Sequence, residues 1–484
     1  MKESKFTADD KSLQQYECPE WFRDAKFGIW AHWGPQAVPE LGDWYARTMY
    51  LNDPTDPTDP RKNNNNYKYT KHVEKYGHPS EFGYKDIIPL WKAEKWDPEK
   101  LMKLYKRIGA KYFVSMGVHH DNYYLWDTKL SRWNTTEVGP MRDVVGEWQA
   151  AAKKEGLYFG VSEHLAQSYT WFQSAHRADQ TGEYAGVPYD GANPEYYDLY
   201  HEPAAEDDNS HLTNNPKWHQ EWYDRITEVI DIYQPDLLYS DSRIPFGVVG
   251  RSMMAHYYNS NLDEDGNVKV VYNNKDHDHQ GRFTLDVERG ALEGISPEPW
   301  QTDTSIGSWY YSKNDYMTMT SEQVVKMLVD IVSKNGNLLL NVVQQADGEL
   351  SDWMYEVVEG IGEWMDVNGD AIYGTRPWSV YGEGPSMHIE PEKGKYSGIK
   401  DIRPYLEGDL RFTKKDNMLY AFSMMPIESD VKIESIGDKQ VKSVKVLGSK
   451  EKIKWSQRDG VLTIAQPKTK AICETLVFAI ELKN

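Results

Sequence analysis

The chain has 484 residues, with 55 Lys and Arg against 75 Asp and Glu, for a formal net charge of −20. So large an acidic excess excludes nucleic-acid binding, whose affinity rests on Lys and Arg neutralising phosphates. A composition 39% hydrophobic and 27% charged suits a soluble globular protein too long for one compact core, so two or three domains are expected.

No run of about 18 apolar residues is present to span a membrane as a helix. The opening Met-Lys-Glu-Ser-Lys-Phe lacks the apolar core of a signal peptide. That fits either a cytoplasmic protein or one whose signal has been removed. Cys18 and Cys473 give no disulfide framework; two unpaired thiols are expected, with one bridge between the termini as the alternative. Trp (18) and Tyr (33) stand out, and such rings suit sugars as well as core packing.

In chain order, short β-branched or aromatic runs alternate with longer helical patterns, the signature of parallel βα units. Strands are predicted at 26–31, 111–118, 157–162, 237–240, 268–273 and 337–342. Residues 52–66 hold three Asp-Pro steps followed by a run of four Asn, which excludes a regular element. Asp97 caps and Pro98 opens a helix that puts Leu101, Leu104 and Ile108 on one face and stops at Gly109. Residues 142–156 repeat the scheme with Val144, Val145, Trp148 and Ala151 inward, and 321–336 do so with Val324, Val325, Leu328 and Val332. Residues 174–215 read as a long surface excursion.

This succession predicts a (β/α)8-like, TIM-type barrel over residues 1–375, whose active site should form at the C-terminal ends of the strands. From 376 to 484 the pattern becomes short alternating segments at 410–412, 418–423, 431–436, 441–446, 453–455, 461–464 and 475–480. Turn residues separate them, which predicts a C-terminal antiparallel β-sandwich.

Three strand ends carry polar residues that call for a functional reading. They are Phe27-Gly-Ile-Trp-Ala-His32-Trp33, Val114-Ser-Met-Gly-Val-His119-His120-Asp121 and Pro235-Asp-Leu-Leu-Tyr-Ser-Asp241. Each alone could be a cap or a satisfied core residue; three together in one barrel point to a site. His119 and His120, adjacent on an extended strand, are expected to point to opposite faces and so not to share an ion. The Asp276-His-Asp-His279 run could take a surface cation but has no supporting ligand spacing. Neither a metal nor a cofactor is therefore expected. Glycosidic chemistry needs two carboxylates, about 5–5.5 Å apart in a retaining enzyme. Asp241 is a good first member. The second could be Asp286, Glu288, Glu293, Glu298 or Asp303, and spacing does not choose among them.

A wider set of motifs does more. Ala25-Lys-Phe-Gly-Ile-Trp-Ala-His-Trp-Gly34, with Asp43-Trp44-Tyr45 after it, resembles the opening of the α-L-fucosidases of glycoside hydrolase family 29. So do His119-His120-Asp121, Leu125-Trp126-Asp127, Ser131-Arg-Trp-Asn134 and Val138-Gly-Pro-Met-Arg-Asp143. Tyr233-Gln-Pro-Asp-Leu-Leu-Tyr-Ser-Asp241 and Val332-Ser-Lys-Asn-Gly-Asn-Leu-Leu-Leu-Asn341 extend the likeness over almost the whole chain.

The resemblance implies an exo-acting retaining α-L-fucosidase, secreted or periplasmic, acting on fucosylated oligosaccharide or polysaccharide. It makes Asp241 the nucleophile. Glu288 becomes the acid/base, with Glu298 in reserve. His32, His119 and His120 become ligands to sugar hydroxyls, and Trp44 and Tyr45 line the same pocket. Trp300 and Trp309 are expected to wall the acid, raising its pKa as proton donation at neutral pH requires.

Four departures from the family pattern bear on specificity. They are Val118 before the His pair, Asp43 in place of Glu, Asn341-Val-Val-Gln344, and Asn274-Lys275 where an Arg is frequent. L-Galactose, or a modified fucose of an algal polymer, is the alternative sugar, since a pocket does not easily reject one added hydroxyl. A catalytically silent sugar-binding barrel is the more distant rival.

Overall fold

The computed structural model describes residues 4–52, 66–208, 210–315, 318–393 and 404–483, so most of the loop predicted at 52–66 lies outside the described residues. Eight parallel strands close into a barrel in sequence order. They are β1 (Phe27–Ala31), β2 (Tyr112–Val118), β3 (Tyr158–Glu163), β4 (Leu237–Ser240), β5 (Val271–Asn274), β6 (Thr284–Asp286), β7 (Trp300–Ser305) and β8 (Gly336–Asn341). Six of these follow the hydrophobic runs read from the sequence. β6 and β7 do not, because their interior-facing positions are polar: Asp286, Gln301 and Asp303 replace the aliphatic side chains that would have announced a strand.

The helices end where their local chemistry dictates. Asp97 accepts from the Lys100 amide at the start of Pro98–Arg107, and Asp143 accepts from the Gly146 amide before Val144–Glu155. Gly156 then stops the second helix at φ 71°, a left-handed conformation that glycine adopts without steric cost. Inside the barrel the packing is tight. A Cβ added at Gly28 of β1 would lie 2.3 Å from the Tyr112 ring. The excursion over 174–215 is a packed cap rather than a surface loop. Tyr189 and Tyr200 are buried, and the Tyr50 and Tyr200 hydroxyls donate to the two oxygens of Asp190 at 2.7 and 2.6 Å.

Beyond the barrel lie β9 (Arg376–Glu383), β10 (Leu410–Lys415), β11 (Met418–Ser423), β12 (Val431–Ile433), β13 (Val441–Val446), β14 (Trp455–Arg458), β15 (Val461–Ile464) and β16 (Val477–Leu482). They form a five-stranded sheet, β13-β16-β11-β10-β9, and a three-stranded sheet, β12-β15-β14. Side-chain alternation divides the larger sheet's two faces. Phe412, Leu419, Ala421, Phe478 and Ile480 pack with Ile433, Leu462 and Ile464 of the smaller sheet. Tyr420, Phe422, Val477 and Ala479 join the barrel core instead. Cys18 and Cys473 are both free thiols. No helix among the described residues is long and apolar enough to cross a membrane.

A buried ionic clamp fastens the sheet to the barrel. Asp330, in helix Ser321–Ser333, takes Arg411 Nε of β10 on one oxygen and Lys334 Nζ on the other, each at 2.6 Å. All three side chains are 4% exposed or less. Asp330→Ala leaves two buried cations without their carboxylate. It should cost about 3–5 kcal/mol of stability, read as a lowered midpoint in chemical denaturation, whereas Asp370→Ala, at an exposed position close to β10, should shift it little.

Candidate active site

β3, β4 and β5 end in register, Glu163 opposite Ser240 and Ser240 opposite Asn274. The next residue of each segment, His164, Asp241 and Lys275, therefore emerges at one rim. Asp241 Oδ2 accepts from His164 Nδ1 at 3.1 Å and faces His120 Nε2 at 3.5 Å. Its Oδ1 accepts from Lys275 Nζ, with the Tyr239 hydroxyl 3.4 Å away. The same ammonium donates to Glu288 Oε2 at 2.8 Å. Burial opposes charge on Asp241, yet Lys275 and then His164 outweigh it and hold the carboxyl well below the usual carboxylate range. Burial likewise opposes charge on Lys275, but Asp241, Glu288, Asp303 and Asp286 keep its ammonium well above the ordinary lysine value.

Four imidazoles box the space in front of Asp241. His32, at 4% exposure, has both ring nitrogens buried without a partner. Its place is fixed from the backbone: its amide donates to Asn341 Oδ1 at 2.9 Å, while Asn341 Nδ2 reaches Ser305 Oγ and the Trp309 carbonyl. Gln36 fixes the tautomer of His119. The Ala46 amide donates to Gln36 Oε1, so Gln36 Nε2 is the donor to His119 Nδ1 at 2.9 Å. The ring proton of neutral His119 then sits on Nε2. His120 Nδ1 donates to the His164 carbonyl at 2.6 Å. Burial first, and neighbouring histidines next, hold His32 and His119 well below the ordinary imidazole value. His32 and His119 thus offer neutral donors and acceptors.

Indoles finish the walls. Trp309 stacks on His32 at 5.3 Å with the Arg289 guanidinium over its ring at 4.5 Å. Trp44 and Trp171 close the His120 side at 6.0 and 5.5 Å. Trp44 holds φ at 62°, an uncommon conformation for a bulky residue and one that concentrates at functional sites. Ligand atoms of His119, His120 and His164 lie within 4.8 Å of one another, as do those of His32, Asp43 and His119. That spacing could hold a divalent cation, although one nitrogen each of His119, His120 and His164 is already committed to the contacts above.

Neutral imidazoles, indole faces and two carboxylates joined by one ammonium suit acid–base chemistry at a carbon of a hydroxyl-rich, uncharged ring. The model for α-L-fucosidases matches residues 1–370, and that for the α-L-fucosidase C-terminal domain matches residues 403–483. The chain belongs to the α-L-fucosidase family. It is accordingly a glycoside hydrolase.

Mouse tissue α-L-fucosidase is 27% identical, over 99% of this chain and 94% of its own length. Human plasma α-L-fucosidase is 28% identical over 78% of this chain and 73% of its own. The Thermotoga maritima α-fucosidase solved in complex with fucose superposes with a TM-score of 0.71 at 28% identity, covering 98% of this chain and all of that one.

In this fucosidase-family chain, Asp241, Glu288, His32, His119, His120 and Trp44 converge on one pocket. Several expectations need correcting. His119 and His120 do not point to opposite faces. A register shift between Met116 and Val118 and a turn after Val118 end the strand's alternation before them, and their rings lie 4.5 Å apart. Tyr45 does not line the pocket; it is fully buried and its hydroxyl bonds His72 Nδ1. Trp300 opens β7 at the opposite end of the barrel, where its Nε1 donates to the Lys334 carbonyl and its ring abuts Gly336. The five residue steps from Trp300 to Ser305 span roughly 16 Å. Glu298 is exposed in the loop entering that end. Only Trp309 of the two expected indoles stands at the site.

Sequence reasoning missed His164 and the role of Lys275. Both sit two residues past predicted strands, so the same strand-end rule that singled out Asp241, read one residue further, would have found them. With His32 and His119 held neutral, their ring resonances should not titrate as the pH falls from neutral through about 6.5. Proton–nitrogen NMR of labelled protein checks this; a His119 that protonates near that value would contradict the neutral box.

Proposed function

We propose that the enzyme hydrolyses terminal α-L-fucosyl residues of glycans with retention, Asp241 attacking the anomeric carbon and Glu288 serving as acid and then base. The observation that carries this reading is the single Lys275 ammonium bonded to both carboxylates. Two hydrogen bonds meeting at one nitrogen keep their oxygens within about 6 Å, close to the 5–5.5 Å of a double displacement and short of the spacing that leaves room for an inverting water.

Asp241 is the member suited to attack, since Lys275 and His164 keep it ionised. Glu288, at the pocket mouth and 22% exposed, can reach both the departing oxygen and the incoming water. As the fucosyl–Asp241 bond forms, the ring acquires oxocarbenium character. His32 and the Nε2–H of His119 can then bond its hydroxyls, and Trp309 can take a C–H face. Fucose is the sugar favoured, in keeping with the Thermotoga complex. A secreted or periplasmic setting agrees with the plasma fucosidase among the relatives.

Wild type should release 4-nitrophenol from 4-nitrophenyl α-L-fucoside and give the α anomer first by proton NMR. Asp241→Ala should lose about 10³-fold or more in kcat and regain turnover in azide, which enters from the vacated face to give β-fucosyl azide. Full activity in Asp241→Ala, or β-fucose as the first product of wild type, would sink the mechanism. Glu288→Ala should fall by about 10²-fold or more on an alkyl fucoside, whose leaving group needs a proton. It should lose far less in the first step with a dinitrophenyl fucoside; equal losses on the two would reassign the acid.

A further inference from the structure

Two more carboxylates lie beneath the catalytic pair. Asp286 ends β6 and Asp303 belongs to β7; both are 1% exposed. One oxygen of each is accounted for. Asp286 Oδ2 accepts from Gln301 Nε2 at 2.8 Å, and Gln301 is oriented by the Tyr112 hydroxyl donating to its Oε1 at 2.9 Å. Asp303 Oδ2 accepts from the Tyr239 hydroxyl at 3.0 Å. The other oxygen of each, Asp286 Oδ1 and Asp303 Oδ1, is buried with no donor. Asp286 pairs across the sheet with Gln301, two residues before Asp303 on the same face of β7, so the two carboxyls enter the barrel from neighbouring positions.

We propose that Asp286 and Asp303 hold one proton between their Oδ1 atoms, and that this shared proton keeps the Lys275 ammonium on Asp241 and Glu288 instead of drawing it deeper into the barrel. The proton satisfies both orphaned oxygens at once and brings the pair's charge from two to one. The groups facing the pair are Lys275 beyond β5, Asp241 and Tyr239 of the β4 segment, Glu288 beyond β6, and Gln301 with Tyr112 from below. Burial is the main force pushing both carboxyls up, and for Asp286 the Asp303 charge comes next. Asp286 and Asp303 are positioning residues, since neither reaches the pocket. The shared proton itself does not depend on the mechanism above. Its effect on Lys275 rests on Asp241 and Glu288 being the catalytic carboxylates.

Infrared difference spectra taken across a pH titration test the proton directly, in Glu288→Gln so that the acid is silent. A protonated-carboxyl C=O band should be present at neutral pH, vanish on the alkaline side, and be lost at neutral pH in both Glu288→Gln/Asp286→Asn and Glu288→Gln/Asp303→Asn. Absence of the band at neutral pH in the Glu288→Gln protein, which needs no further variant to fold, overturns the proposal.

Kinetics test the consequence. On the alkaline side, kcat/KM of the wild type should fall with the second power of proton concentration, from the acid and the pair together. Asp286→Asn, whose amide replaces the shared proton, should fall with the first power, a tenfold difference per pH unit. A purely structural role predicts the same slope in both. If the band behaves as expected while the slopes agree, the proton stands and its action on Lys275 fails. If azide rescue fails while the band is present, the nucleophile reading alone falls.

Discussion

The C-terminal end of the barrel depends on one ammonium. Two carboxylates about 5 Å apart at an effective dielectric of about 20 repel by roughly 3 kcal/mol, and here both are turned inward from strand ends. Lys275, bonded to both, converts that repulsion into attraction and fixes their separation. Its own charge is costly to bury, and surrounding carboxylates offset the cost. Because Asp241 follows β4, Lys275 follows β5 and Glu288 follows β6, three adjacent strands build the centre with no long loop needed to aim it.

In front of this charged centre the protein places uncharged polarity. His32 and His119 stay neutral because they are buried beside other imidazoles and because backbone or amide groups fix their orientation. A neutral donor or acceptor costs less to desolvate than a cation, so the box can stay dry while still addressing hydroxyls. The aromatic rings around it exclude water without competing for those hydrogen bonds.

Much of this was legible in the sequence, and the exceptions have physical reasons. Six barrel strands showed as apolar runs. β6 and β7 did not, because Asp286, Gln301 and Asp303 occupy positions where hydrophobic alternation would have revealed them. β9, with half-exposed residues such as Val380, was silent for the related reason that neither face is cleanly apolar. Asp241 was found because a carboxylate after Leu-Leu-Tyr-Ser is conspicuous. Glu288 was singled out only by family likeness, since sequence spacing left five acids equal. Trp300 and Tyr45 were misplaced by the assumption that an aromatic near a motif faces the site. Trp300 enters the barrel from the far end, and Tyr45 turns away to anchor His72, whose Nε2 in turn holds the Phe82 carbonyl. The side a ring faces depends on strand height and helix phase, which neighbouring letters do not encode.

The clamp of Asp330, Lys334 and Arg411 bears on how freely the two halves of the chain can be exchanged. Lys334 also offers its carbonyl to Trp300 at the floor of the barrel, so the joint is continuous with the catalytic domain's own foundation. Tyr381 of β9 shields the clamp with its ring 4.8 and 5.3 Å from Lys334 and Arg411, and Tyr405, just before β10, lies 5.3 Å from Arg411. The C-terminal sandwich is therefore not an appendage to be spliced onto another barrel. A chimera keeping the sheet but not this barrel would bury Arg411 without its carboxylate, whereas the barrel side alone keeps the Asp330–Lys334 pair. Recombination within such a lineage should preserve barrel and sandwich as a unit.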